Sequence, residues 1–180
     1  MNFYRSDIMK KLLSILVTIC LFISLCGCTF LKDVTDFALN DEAVAKTFRF
    51  DGISIELTTD FLRMDSLKEN YDFVVGTEKM SILGLKMPDS ETGLGDFTVK
   101  EYAENFRSLV EELGPDEVTE IDGIPMFKYR DTDEEGEMTL ALAFYRGSDC
   151  FWIIFFSAET ENFDGLYSDI CKYAKTVKCD

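Results

Sequence analysis

Seven consecutive residues near the end of the chain, Cys150-Phe-Trp-Ile-Ile-Phe-Phe156, are all apolar. Successive side chains of a strand point to opposite faces, so a strand of this composition needs cover on both sides. It must run through the middle of a sheet that lies between two layers. One layer is predicted at about residues 162–175, where Phe163, Leu166, Tyr167, Ile170, Cys171 and Ala174 recur at helical spacing. Lys172 and Lys175 stand near the negative end of that helix, where its dipole favours cations. An earlier helix supplies the second layer. Thr98-Val-Lys-Glu101 is a capping box, in which side chain and backbone satisfy each other's orphan groups. Val99, Tyr102, Ala103, Phe106, Leu109, Val110 and Leu113 follow on one stripe, and Gly114-Pro115 ends the helix.

The remaining signals are short strands joined by tight turns. Thr47–Phe50 and Ile53–Leu57 flank Asp51-Gly52, and Val118–Ile121 and Ile124–Arg130 flank Asp122-Gly123. This dipeptide suits a hairpin because both residues tolerate positive φ. Tyr71–Gly76 and Met80–Met87 form another strand pair, and Pro88–Asp96 reads as a loop. Glu137–Tyr145 alternates, with Met138, Leu140, Leu142 and Phe144 on one face. The order is therefore hairpin, hairpin, helix, hairpin, hairpin, helix. Short turns imply antiparallel pairing. The expected fold is α+β, a three-layer α/β/α sandwich around one mainly antiparallel sheet.

A family resemblance rests on these same elements. The hairpin with Ile53-Ser-Ile-Glu-Leu57 followed by Thr59-Asp60-Phe61, the Thr-Val-Lys-Glu-Tyr-Ala-Glu helix at 98–104, the strand Phe151–Phe156 and the closing helix from Phe163 resemble PsbP-like domains. The likeness covers roughly residues 47–179 as pattern and order. That fold is shared by an extrinsic photosystem II subunit, a nuclear Ran-GTPase-binding protein and small bacterial lipoproteins. The resemblance implies a non-catalytic docking domain, and it carries no functional residue over to this chain.

The N-terminus reads as an export signal. Lys10 and Lys11 precede an apolar run from Leu12 to Leu25, broken only by Ser14, Thr18, Cys20 and Ser24. That run is short for a membrane span of about 20 residues but suits a signal peptide. Leu25-Cys26-Gly27-Cys28 resembles a lipobox, with a small residue before the cysteine that is cut free and acylated. Met9, which opens Met-Lys-Lys, is a more natural start than Met1. The expected organisation is a signal peptide at 1–27, a lipidated tether at 28–46 and a folded domain at 47–180. Phe30, Leu31, Val34, Phe37 and Ala38 recur at helical spacing within the tether, which reads equally as a short amphipathic helix or a flexible spacer. Acyl chains on Cys28 would hold the protein to the extracytoplasmic side of the cell membrane, at about 0.8 kcal/mol per buried CH₂.

Charge narrows the partners. The chain has 18 basic and 34 acidic side chains, a net charge of −16; removing residues 1–27 takes away Arg5, Lys10, Lys11 and Asp7 and leaves −18. Nucleic acid is excluded as a partner, because binding requires a basic surface that displaces counterions. An envelope protein is the expected partner, and capture of a small molecule, lipid or cation is the alternative.

Groups for catalysis are scarce. The absence of histidine removes Ser-His-Asp, Cys-His and His-ligated zinc mechanisms, and no nucleophile-elbow or phosphate-loop motif occurs. No cofactor is expected. Asp131-Thr-Asp133-Glu134-Glu135-Gly136 begins like a calcium loop, but Leu142 stands where the bidentate Glu should be. Asp131, Asp133 and Glu135 are thus read as a solvated acidic hairpin turn, and calcium is not expected there. Cys150, Cys171 and Cys179 match no zinc spacing. They allow at most one disulfide, and the plain reading is small buried hydrophobes. Among the clustered aromatics, Tyr145 and Trp152 are the candidates for a ligand or partner surface, should a helix leave part of the sheet uncovered.

Overall fold

The structure, a computed structural model, describes residues 44–64, 70–93, 95–133 and 136–180. The main sheet has seven strands in the order β3-β4-β5-β9-β8-β7-β6, and every pairing in it is antiparallel. These strands are β3 (Leu62–Arg63), β4 (Phe73–Gly76), β5 (Ser81–Pro88), β6 (Thr119–Ile121), β7 (Ile124–Asp133), β8 (Gly136–Arg146) and β9 (Cys150–Glu159). Helix α1 (Val99–Leu109) lies between β5 and β6 in the chain, and α2 (Thr160–Thr176) follows β9.

The apolar run forms β9, which pairs with β5 on one side and β8 on the other. Its side chains divide strictly. Phe151, Ile153 and Phe155 join Leu140, Leu142 and Phe144 of β8 and Tyr102, Ala103 and Phe106 of α1 in one core. Trp152, Ile154, Phe156 and Ala158 join Ala141, Ala143 and Phe163, Ile170 and Ala174 of α2 in the other. The fold is thus the expected α+β sandwich, with a helix on each face of an antiparallel sheet.

One element departs from a single sheet. The first hairpin, β1 (Ala45–Phe50) and β2 (Ile53–Thr58), pairs with the C-terminal strand β10 (Lys178–Cys179) in a separate three-stranded sheet, order β1-β2-β10. Phe48, Ile53, Ile55 and Leu57 turn from it into the α2-side core. Beyond the ladder, the Thr176 hydroxyl donates to the Glu56 carbonyl at 3.1 Å and accepts from the Glu56 N–H at 2.9 Å, pinning the end of α2 to β2. β10 is too short to show in a periodicity. β1 begins at Ala45, so the last two residues read as tether belong to the folded domain.

Local signals explain the rest. Thr98 caps α1 as expected: the Glu101 N–H donates to Thr98 Oγ1 at 3.2 Å and the Thr98 N–H to Glu101 Oε2 at 2.8 Å. The helix stops at Leu109 and tightens to a 3₁₀ turn over Glu111–Leu113, leaving Leu109 exposed. The Asp122-Gly123 turn uses positive φ at both residues, 52° and 80°, whereas the first hairpin needs it only at Gly52, 79°. Asp89–Thr92 makes a single helical turn inside the stretch read as a loop.

Two contacts tie layers and strands together. Phe73 of β4 stands opposite Gly84 of β5 and lies over it. A Cβ at position 84 would come within 2.0 Å of the Phe73 ring. The same ring stacks on Phe50 of the small sheet at 4.0 Å and leans toward Trp152 of β9 at 6.3 Å. At the far end of the sheet, the Arg146 guanidinium grips Asp89 with two bonds of 2.7 and 2.6 Å and lies 4.5 Å over the Phe151 ring. The Arg146 hydrogen bond holds the Asp89 carboxyl below its ordinary pKa.

Gly84→Ala should destabilise the domain by about 1–3 kcal/mol, because the Phe73 ring must leave its place between the sheets; chemical denaturation measures this. Asp89→Asn should cost about 1 kcal/mol at neutral pH. A carboxyl with a lowered folded pKa contributes fully above its unfolded value of about 4. That contribution disappears as pH falls through the folded value, so the difference between wild type and Asp89→Asn should close in acid.

Candidate functional site

The two strands of the Asp122-Gly123 hairpin differ in length. β6 has three residues and β7 has ten, so β6 pairs only with Ile124, Pro125 and Met126. Past Met126, the segment before β6 crosses the outer edge of β7, where the Asp116 N–H donates to the Lys128 carbonyl at 2.7 Å. Arg107 in the last turn of α1 fixes that segment, its Nε bonded to the Asp116 carbonyl at 2.7 Å and its Nη2 to the Pro115 carbonyl at 3.2 Å. Backbone groups alternate along an antiparallel strand. Arg130 and Thr132 therefore turn their backbone groups to the same outer side as Lys128. Among the described residues no strand pairs with them there. Arg130 and Thr132 are exposed.

Beside this edge is a hollow of about 230 Å³ lined by Asp116, Glu117, Thr119, Phe127, Lys128 and Tyr167. Lys128 Nζ stands 4.8 Å over the Tyr167 ring and 3.7 Å from Asp116 Oδ2, so a cation, an aromatic face and a carboxylate meet at its wall. Burial and the neighbouring Cys171 raise the Tyr167 phenol above its ordinary pKa, and it stays neutral at physiological pH. Nearby, Lys175 of α2 pairs with Asp122 at the hairpin turn, 2.6 Å away, and fastens the helix to β7. The site combines outward backbone hydrogen-bonding groups along a strand with a small recess beside them.

The residues singled out from sequence lie elsewhere. Trp152 is 1% exposed and offers no surface, because the β1–β2 hairpin and α2 cover the face it was expected to share with solvent. Tyr145 is half-buried and its hydroxyl donates to the Ala174 carbonyl at 2.8 Å, holding α2 to the sheet. Burial raises its pKa well above the ordinary phenol. Trp152 therefore lies in the core, and Tyr145 packs against it from a partly exposed position. Asp131 and Asp133 stand in the β7–β8 ladder opposite Met138 and Gly136, while Glu135 lies outside the described residues. Among the described residues no three His, Cys, Asp or Glu side chains are grouped to hold a metal ion. Cys28, the signal segment and the tether to residue 43 lie outside the described residues, among which no helix is long and apolar enough to cross a membrane.

Sequence reasoning missed the β7 edge and its hollow. The available signal for the edge was the unequal length of the two predicted arms, Val118–Ile121 against Ile124–Arg130, which leaves the end of the longer arm without a partner from the shorter one.

The solution structure of PsbP (CyanoP) from Synechocystis sp. PCC 6803 superposes on this chain with a TM-score of 0.50 at 11% identity, over 82% of this chain and 99% of that one. The domain has a PsbP-like fold. Two further structures are similar at a TM-score of 0.49. The Ran-binding protein Mog1p of Saccharomyces cerevisiae has 12% identity over 77% of this chain and 96% of its own. A protein of Bacteroides thetaiotaomicron VPI-5482 has 11% identity over 72% of this chain and 45% of its own. No protein-family model matches the sequence, and no curated protein does.

Proposed function

We propose that this chain is an extracytoplasmic docking module without catalytic activity, held to the cell membrane by acyl chains on Cys28, which takes an extended segment of an envelope protein along β7. The observation that carries the reading is the outer edge of β7 beyond Met126, where the backbone groups of Arg130 and Thr132 face away from the sheet. An added strand supplies main-chain hydrogen bonds for affinity, and a recess beside it supplies selectivity. The recess supports a partner's side chain as its occupant. At about 230 Å³ it is smaller than the roughly 300–1,000 Å³ of most small-molecule pockets, so ligand capture is the second reading. The lipobox-like Leu25-Cys26-Gly27-Cys28 supports the anchor, and the absence of histidine supports the non-catalytic reading.

In-cell crosslinking of the full chain, followed by affinity capture and mass spectrometry, tests both parts. Cys28→Ser should abolish acylation, leave an uncut or released form and lose the partner. Membrane retention of this variant with an unmodified, cleaved N-terminus would overturn the anchor. Arg130→Pro removes one outward N–H and no bond of the β7–β8 ladder. Partner affinity should fall about fivefold to tenfold, with stability changed by less than about 1 kcal/mol. Equal capture by wild type and Arg130→Pro would remove β7 as the docking edge.

A further inference from the structure

Three separate segments meet at one end of the small sheet: the β8–β9 turn, the β1–β2 turn and β10. The Ser148 N–H donates to the Asp180 carbonyl at 3.0 Å, and the Asp180 N–H donates to the Gly52 carbonyl at 3.1 Å. Gly147 closes the β8–β9 turn with its N–H on the Cys150 carbonyl at 2.9 Å. Cys150 opens β9 and Cys179 ends β10, so these bonds bring two thiols from distant parts of the fold to one place.

Their side chains point into the same core. Cys179 stands opposite Ile53 in the β10–β2 ladder, and residues paired across an antiparallel ladder share a face. Ile53 is 2% exposed within the α2-side core. Cys150 belongs to that core with the same 2% exposure, and Cys179 packs against it. Gly147 of the β8–β9 turn lies beside both cysteine-bearing segments. A Cβ built on Gly147 would lie 2.8 Å from Cys150 Sγ and 3.5 Å from the carbonyl oxygen of Asp180, the residue next to Cys179. Cys171 is on another side of α2, against Tyr167 at the β7 edge. All three are free thiols.

We propose that Cys150 and Cys179 are a disulfide pair, which on meeting a disulfide oxidant staples β10 to the start of β9. With oxidised glutathione the step balances as thiol–disulfide exchange. The less buried Cys179, once deprotonated, attacks one glutathione sulfur; the glutathione S–S bond breaks and one glutathione leaves as its thiol. Cys150, deprotonated in turn, attacks the Cys179 sulfur and expels the second glutathione. Two protein thiols are oxidised by two electrons, one glutathione disulfide is reduced, and the two protons end on its thiols. Burial pushes the Cys179 thiol up to about 12, an effect that neighbouring Cys150 adds to, and burial also raises Cys150. Exchange in the folded domain is therefore slow, and the bond forms readily while β10 is undocked.

The test uses the membrane-extracted protein, unfolded in urea and refolded in a glutathione redox buffer so that docking does not limit exchange. Remaining thiols are alkylated and the protein is mapped without reduction by mass spectrometry. The expected product is one intramolecular Cys150–Cys179 link with Cys171 alkylated. Closing this loop should raise the melting midpoint by about 10 °C over the reduced protein. Cys171→Ala should keep both the link and the shift, and Cys179→Ala should lose both. A fully alkylated protein, a link through Cys171, or a link only between molecules would overturn the proposal.

Discussion

Burial of β9 on both faces is the constraint from which the rest of the fold follows. From Cys150 to Ala158 no residue is more than 3% exposed. Each large apolar side chain removed from water contributes about 1.5–3 kcal/mol, so the strand cannot tolerate an open face. On one side a single helix suffices, because Tyr102 and Phe106 of α1 reach across to Phe144 and Phe151. On the other side α2 is too narrow to roof the whole face. The β1–β2 hairpin, with β10 as its third strand, closes the remainder. Strands from opposite ends of the described residues, β1, β2 and β10, thus cover the same face of the main sheet.

This division also bears on the proposed docking edge. With both faces of the central strands sealed, the proposed added strand would meet the main sheet at its rim. The rim is uneven, since β6 stops after three residues while β7 continues for several more. The segment from Pro115 to Val118 fills part of the gap under the grip of Arg107. Beyond it β7 ends in the hairpin to β8. A long strand with one guarded half and one open half is a way to admit an added strand in one register while discouraging unspecific pairing along the whole edge.

Much of the fold was legible in the sequence because its periodicities are strong. The unbroken apolar run of β9, the alternation of β8, the capping box at Thr98 and the stripe of α2 each report a local rule that the tertiary structure obeys. The placement of the first hairpin was not legible. Its alternation fits an edge strand of the main sheet as well as a roof over it, and the choice is made by a two-residue strand, β10, that carries no pattern of its own. Trp152 was misread for the same reason: its exposure depends on where that hairpin goes. Lys128 and Tyr167 are brought together by tertiary packing from positions with no sequence relation, so the hollow they line could not be read from spacing.

The contact between Phe73 and Gly84 has a consequence for how such a domain can diverge. The ring fills the space where a side chain at position 84 would stand, and it serves at once as the bridge to Phe50 and Trp152. Neither position is free to drift alone. A larger residue at 84 demands a smaller one at 73, and a smaller one at 73 leaves a void between the two sheets unless position 84 or position 50 grows to fill it. Among related sequences these positions should therefore change together, as a linked set that keeps total volume constant, whereas single replacements at any one of them should be rare.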